Sequence, residues 1–295
     1  MQLFLEQLVN GWALGSLYAL FGIGFGLVFS TLGILNAAHG TYASWAAILG
    51  YYAVERFGLP FPAAIATGVV GGGILAVLVD QIGFQPLRAK KMGMLGALIT
   101  SIAFWIILDS LAGFATQQQS LAFPAATYPN QMVQVGPIMI PQMQIITILA
   151  LILCTVGIYV LIQKTRIGAA MRAVGWNEVA AGLGGVDARM VILLTAFLAG
   201  ATSGLAGVLG GISTSNVSFT LGEGLMLKGF AAVVVGGFDD VRGTAIAGIC
   251  LGIIEVFVAQ YISTALRDGV TYSLLLVFLI ARPRGLFGSA SFMRA

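Results

Sequence analysis

Apolar residues in this chain come in long uninterrupted runs, and polar residues gather in a few short stretches between them. A helix rising 1.5 Å per residue needs about 20 apolar residues to cross a hydrocarbon layer of about 30 Å. By that rule the sequence predicts spans over Leu8–Ser30, Ala38–Val54, Phe61–Ile82, Leu95–Ala115, Ile145–Gln163 and Met190–Ile212. Three more are predicted over Leu225–Gly237, Gly243–Ile262 and Val270–Ala281. The seventh and ninth are short enough to be tilted spans or half-helices, so the expectation is eight to ten crossings, with about nine favoured. The predicted fold is an all-α, polytopic transmembrane helix bundle forming one domain over residues 1–295. Two polar segments punctuate it: Thr116–Gln144, which reads as a surface loop on the outer side, and Lys164–Arg189.

Composition narrows the solvent. Hydrophobic residues make up 59% of the 295 and charged residues 8%, too few to cover a water-facing surface. The mean hydropathy of +0.99 agrees. The 40 glycines include Gly22/Gly26, Gly68/Gly72, Gly200/Gly204, Gly207/Gly211 and Gly248/Gly252, each pair four apart. Such spacing lets helix backbones approach closely in lipid, where van der Waals contact drives association. Cys154 and Cys250 lie inside apolar runs and read as packing residues. The N-terminus lacks a basic leader region and its apolar run exceeds a signal-peptide core, so it is expected to remain as a span.

Charge sets the orientation. Arg88, Lys90 and Lys91, then Lys164, Arg166, Arg172 and Arg189, then Arg282, Arg284 and Arg294, together hold ten of the 14 basic residues. About nine spans put all three clusters on one side, the cytoplasm by the positive-inside rule, with the N-terminus outside. The opposite loops carry Glu55–Arg56, Glu223 with Lys228, and Arg267–Asp268. A net charge of +3 then reflects loop bias and does not imply a nucleic-acid partner.

The segment Lys164–Arg189 has a helical pattern inside it. Ile167, Met171 and Val174 recur at helical spacing, Asn177 can cap a following turn, and Glu178 suits its positive end. Val179, Ala180 and Leu183 give a small apolar face, and Gly184–Gly185 end the helix. A helix of about two turns is not stable alone. It reads either as a connecting loop or as a docking element held by a partner.

Five ordered stretches carry a family resemblance: "GSLYALFGIGFGLVFSTLGILNAAHG", "QPLR", "TRIGAAMRAVGWNEVAAGLGGVDARMVILLTAFLAGATSGLAGVLGG", "LKGFAAVVVGG" with "GTAIAGICLGIIE", and "RPRGLFG". Together they resemble the permease subunits of branched-chain amino acid ABC transporters, and most closely the shorter of the two permeases. Two stretches depart from the family pattern. The chain reads "GGFDDVRGT", with Asp239, Asp240 and Arg242, where the family is usually uncharged, and its carboxylate ahead of the "PLR" stretch stands at Asp80. The resemblance implies a bacterial inner-membrane importer that works with cytoplasmic ATPase subunits, a second permease subunit and a periplasmic binding protein. It favours a heterodimer and leaves a homodimer open. It also implies branched-chain or other hydrophobic amino acids as cargo, with urea, short amides or other amino acids as alternatives. Asn177, Glu178, Ala181 and Gly185 match the family's coupling pattern and are the expected ATPase contact.

The chain has no G-x-x-x-x-G-K-[ST], so any ATP hydrolysis belongs to another subunit and no cofactor is expected here. His39 is the only histidine and has no clustered Cys or carboxylate, which argues against a metal site. Two eight-residue breaks, Gly33–Gly40 and Gly236–Gly243, are read as paired constrictions at corresponding places of two halves. Asn36, His39, Gly40, Gly236, Gly237 and Glu255 are the candidate path or gate residues. His39 has two readings, one satisfying backbone at the break and one contacting substrate or gate. Asp109 and Glu255 are acids inside predicted spans, and they would be the coupling groups of an ion-driven secondary transporter, the main rival reading. An intramembrane enzyme would need a nucleophile and base beside His39, and none is evident.

Overall fold

The computed structural model describes residues 1–90, 92–282 and 285–288. Lys91, Arg284 and Arg294 of the basic clusters lie outside these residues. The predicted spans form as helices: α1 (Gln2–Leu32), α2 (His39–Glu55), α3 (Phe61–Val79), α5 (Met94–Ala115), α6 (Gln142–Lys164), α9 (Ala188–Ser213), α10 (Leu221–Gly236), α11 (Val241–Tyr261) and α12 (Arg267–Ala281). A π-turn over Asp80–Phe84 carries α3 into a short α4 (Gln85–Ala89). The polar segment folds as α7 (Arg166–Trp176) and α8 (Glu178–Leu183).

Seven helical stretches among the described residues are long and apolar enough to cross a membrane. α2 and α10, with 17 and 16 residues, fall short of that length. The short ninth span is completed by a 3-10 turn over Thr264–Leu266. The segment expected as plain loop after α5 contains a two-stranded hairpin, β1 (Met132–Val135) with β2 (Ile138–Pro141), turning at Gly136 with φ 60°. Its Ile138 and Ile140 are buried while Met132 and Met139 are exposed, an alternation of period two.

Glycine sets the closest packing. A Cβ on Gly252 would lie 2.2 Å from the Gly15 nitrogen, so α11 and α1 touch backbone to backbone. α3 and α9 do the same, since a Cβ on Gly72 would lie 2.6 Å from the Gly200 carbonyl oxygen and one on Gly204 2.6 Å from that of Gly68. The four-residue spacings read from the sequence therefore form real seams. Gly252→Val is expected to lose about 1–3 kcal/mol or more through overpacking. The check is a lower thermal unfolding midpoint in detergent, and an unchanged midpoint would refute the seam.

The helix contacts repeat. α1 packs along α11 as α9 packs along α3, α2 meets α9 as α10 meets α1, and α2–α3 matches α10–α11. Gly24 faces Ala199 and Thr202 while Leu17 faces Gly210, so α1 and α9 run antiparallel. The triplets α1–α2–α3 and α9–α10–α11 are thus inverted repeats. Gly40 of α2 meets Gly222 of α10 between them. This pairing corrects one expectation. The counterpart of the break before α2 is the turn 214–220 before α10, and the break after α10 corresponds to the α2–α3 turn. The Gly33–Gly40 and Gly236–Gly243 segments do not occupy corresponding places.

Candidate functional site

The first break begins where Gly33, with φ 66°, ends α1 and donates its N–H to the Phe29 carbonyl at 2.8 Å. Only glycine adopts this left-handed conformation freely. Asn36 then organises the turn: its Oδ1 accepts the Ala38 N–H at 3.0 Å, its Nδ2 donates to Tyr42 Oη at 3.0 Å, and its carbonyl accepts the His39 N–H at 3.2 Å. Ser101 of α5 accepts the Ala37 N–H at 3.1 Å, and Ser203 of α9 donates to the His39 carbonyl at 3.2 Å. Irregular backbone inside a bundle is tolerated only when satisfied in this way. Asn36 and two serines, rather than the imidazole, therefore satisfy the break.

The His39 ring is fully buried, and neither nitrogen makes a hydrogen bond of normal geometry, although the Phe21 carbonyl is set against the ring. Phe21, Phe25 and Tyr42 surround it edge-on at centroid distances of 4.7, 5.7 and 5.5 Å. Gly40 is placed by the α10 contact, where a Cβ would come 2.9 Å from the Gly222 carbonyl oxygen. Beyond Asn36 lies a small crevice lined by Leu32, Asn36, Tyr42, Ala76, Asp80 and Ala199. Asp80, itself buried, binds Arg88 through two parallel hydrogen bonds of 2.8 Å across the π-turn. The carboxylate that departs from the family position therefore still meets the arginine of the "QPLR" stretch.

The second break is closed by the chain's own tail. Gly237 has φ 114°, and a Cβ there would fall 2.7 Å from the Gly288 nitrogen. The N–H groups of Leu286 and Phe287 donate to Val235 and Gly236 at 2.8 and 3.1 Å. Gly236 also abuts Gly243, where a Cβ would come within 2.4 Å. The Asp240 carboxylate caps α11, accepting from the N–H groups of Arg242 and Gly243 at 2.8 and 3.1 Å. A relay of rings joins the two breaks: His39–Phe25, Phe25–Phe230 at 5.6 Å, Phe230–Phe238 at 6.2 Å and Phe238–Phe29 at 4.2 Å.

Glu255 stands apart from both. It is fully buried, and its Oε1 accepts from Tyr18 Oη at 3.0 Å, from Lys228 Nζ at 2.6 Å and from Arg267 Nε. Lys228 also reaches Asp268 at 2.9 Å. Lys228, which the sequence grouped with Glu223 at the outer end of the predicted span Leu225–Gly237, lies in α10 as the partner of Glu255. Its signal in the sequence was a lysine three residues inside the predicted span Leu225–Gly237. Asp109 joins neither group. It lies half-buried on α5, with Oδ1 unpartnered.

At the basic end, α7 and α8 project from the bundle. Thr165 caps α7 and Asn177 caps α8, each side chain accepting a backbone N–H, from Gly168 at 3.1 Å and from Ala180 at 2.9 Å. Gly185, with φ 83°, ends the turn. Ala181 faces inward and is buried. Of the four residues expected at a partner contact, Glu178 alone offers an exposed side chain without an internal structural task. The exposed surface is instead Trp176, Val179 and Leu183, at 73%, 75% and 88% exposure. The apolar face read from the sequence points away from the bundle. Behind it, α7 touches α1 where Gly175 meets the Ser30 carbonyl, and Arg189 donates to Gln81 of the π-turn at 3.3 Å.

This arrangement can be compared with known proteins. The family described as branched-chain amino acid transport system / permease component matches residues 7–279. The chain belongs to this family. It is 28% identical to the high-affinity branched-chain amino acid transport system permease protein BraD of Pseudomonas aeruginosa, over 97% of this chain and 96% of that protein. It is 30% identical to the corresponding permease protein LivH of Escherichia coli K12, with the same coverage. Similarity to the galactofuranose transporter permease protein YtfT of E. coli, 28%, spans 84% of this chain and 68% of that protein. No solved structure matches significantly. The permease is a multi-pass membrane protein, and its relatives are transport proteins rather than enzymes.

Proposed function

We propose that this permease is the translocation subunit of an ATP-driven importer for branched-chain or other hydrophobic amino acids in a bacterial inner membrane. The observation that carries the reading is the α7–α8 projection. It offers exposed Trp176, Val179 and Leu183 on one side and is anchored to α1 on the other, and it leads into α9, whose Arg189 holds Gln81 of the π-turn. ATPase subunits would grip that apolar face, with Glu178 at its edge. The chain has no phosphate-binding loop of its own. Motion there would pass to Ser30 and Gln81, which flank the break built on Asn36 and His39. Gly40, Gly236 and Gly237 would complete the gate.

In this reading α2 and α10 complete about nine crossings, and the described basic residues at the α7–α8 end mark the cytoplasm. A periplasmic binding protein would meet the opposite end, where Leu121 of the long loop pairs with Val217 and the β1–β2 hairpin is exposed. A second permease subunit would face this one across the path. Urea, short amides or other amino acids remain the alternative cargo, and a relative named for galactofuranose fits a family scaffold that serves several solutes. Of the two acids an ion-coupled mechanism would use, Glu255 is held by two cations, which leaves it Asp109 alone. The test is uptake of a panel of amino acids and amides by the permease reconstituted with its ATPase, partner permease and binding protein. Nucleotide-dependent uptake of Leu, Ile or Val is expected. Accumulation by the permease alone in liposomes without nucleotide would overturn the reading.

A further inference from the structure

His39 is a polar ring in an apolar box. A neutral imidazole carries one N–H and one acceptor nitrogen. Neither makes a hydrogen bond of normal geometry here, the Phe21 carbonyl being the polar group set against the ring, and leaving buried donors so poorly met is costly and rare in native proteins. A phenyl ring would fill the space between Phe21, Phe25 and Tyr42 with the same edge-on contacts and no such cost. Packing alone therefore does not account for a histidine at this position.

Gly24 shows where a partner stands. A Cβ on Gly24 would lie 2.3 Å from Thr202 Oγ1 and 3.2 Å from His39 Nε2. The α9 hydroxyl thus fills the place a Gly24 side chain would take, and the imidazole nitrogen lies against the same point. Thr202 Oγ1 donates to the Ala199 carbonyl at 2.9 Å, so its lone pairs are free to accept.

We propose that His39 and Thr202 form a state-dependent pair: unbonded beside Gly24 in this conformation, and joined by an imidazole Nε2–H···Oγ1 hydrogen bond when the α1–α2 break shifts during the transport cycle. His39 and Thr202 are then positioning residues for the gate, not substrate ligands. The transport part of this inference rests on the importer reading, whereas the pairing itself does not.

Two readouts separate them. His39 is the only histidine, so ring-15N labelling of histidine gives one site to observe. The full chain in nanodiscs, with and without its ATPase subunits and nucleotide, should show an unbonded and a hydrogen-bonded imidazole. Thr202→Val should remove the bonded form, and Thr202→Ser should restore it. His39→Phe should raise the unfolding midpoint by about 2 °C or more, yet reduce uptake at least about tenfold. Thr202→Val should reduce uptake similarly with its midpoint unchanged, and the double variant should be no worse than either single one, as expected for one shared interaction. A bonded signal indifferent to Thr202→Val, full uptake by His39→Phe, or multiplicative losses in the double variant would overturn the pair. Should His39→Phe fail to fold, His39→Leu takes its place in the same comparison. If the unsubstituted permease shows no nucleotide-driven uptake, the importer reading fails while the NMR comparison still decides the pairing.

Discussion

Glu255→Ala is expected to destabilise the permease by about 3–5 kcal/mol, the usual loss when one member of a buried ion pair is removed and its partner stays behind. Here two cations would be stranded, because Lys228 and Arg267 both converge on Glu255 Oε1. Lys228 keeps Asp268, but that side chain is 61% exposed and compensates weakly. The expected signs are a sharp fall in the unfolding midpoint and loss of folded protein on extraction. A combined Glu255→Leu, Lys228→Met variant should recover much of the loss, since apolar replacement of a whole buried pair is often tolerated. Asp268→Asn should cost little. An unaltered midpoint for Glu255→Ala would show that the cluster does not hold α10, α11 and α12 together.

The second large effect is expected at α8. Val179→Asp combined with Leu183→Asp should abolish nucleotide-driven uptake while leaving the unfolding midpoint of the isolated chain unchanged. Both side chains project outward, so they support little within the permease. At a partner interface, central apolar anchors contribute about 2 kcal/mol or more each, and about 1.4 kcal/mol is a tenfold change in affinity. The pair should therefore weaken ATPase binding by at least about a hundredfold. Co-purification with the ATPase checks this directly, and normal co-purification and uptake would remove α8 from the contact. Glu178→Lys should have a smaller effect, as an exposed charge at the rim.

The helices were legible because a run of apolar residues has one physical solution in lipid. The spacings Gly68/Gly72 and Gly248/Gly252 also read correctly, since a glycine every four residues lies on one face and can serve a close seam. The Asn177 cap and the Gly185 terminator followed from local chemistry alone. What the sequence hid were matters of partnership. Nothing local shows that Lys228 reaches across to Glu255, 27 residues away, or that Val179 and Leu183 turn outward. The period-two alternation of the hairpin was short and lay among prolines and glutamines that favour a loop reading. The two breaks looked equivalent because both are glycine-bounded and equally long. Only the order of helix contacts shows which turns are counterparts.

The glycine seams restrict how this bundle can move. Where α1 meets α11, and α3 meets α9, main chain lies on main chain with no layer of side chains between them to shear. Neither helix can slide along its mate without unseating every glycine at once. Each couple must therefore travel as a single stiff lever. Displacement is left to the joints at 33–38 and 237–240.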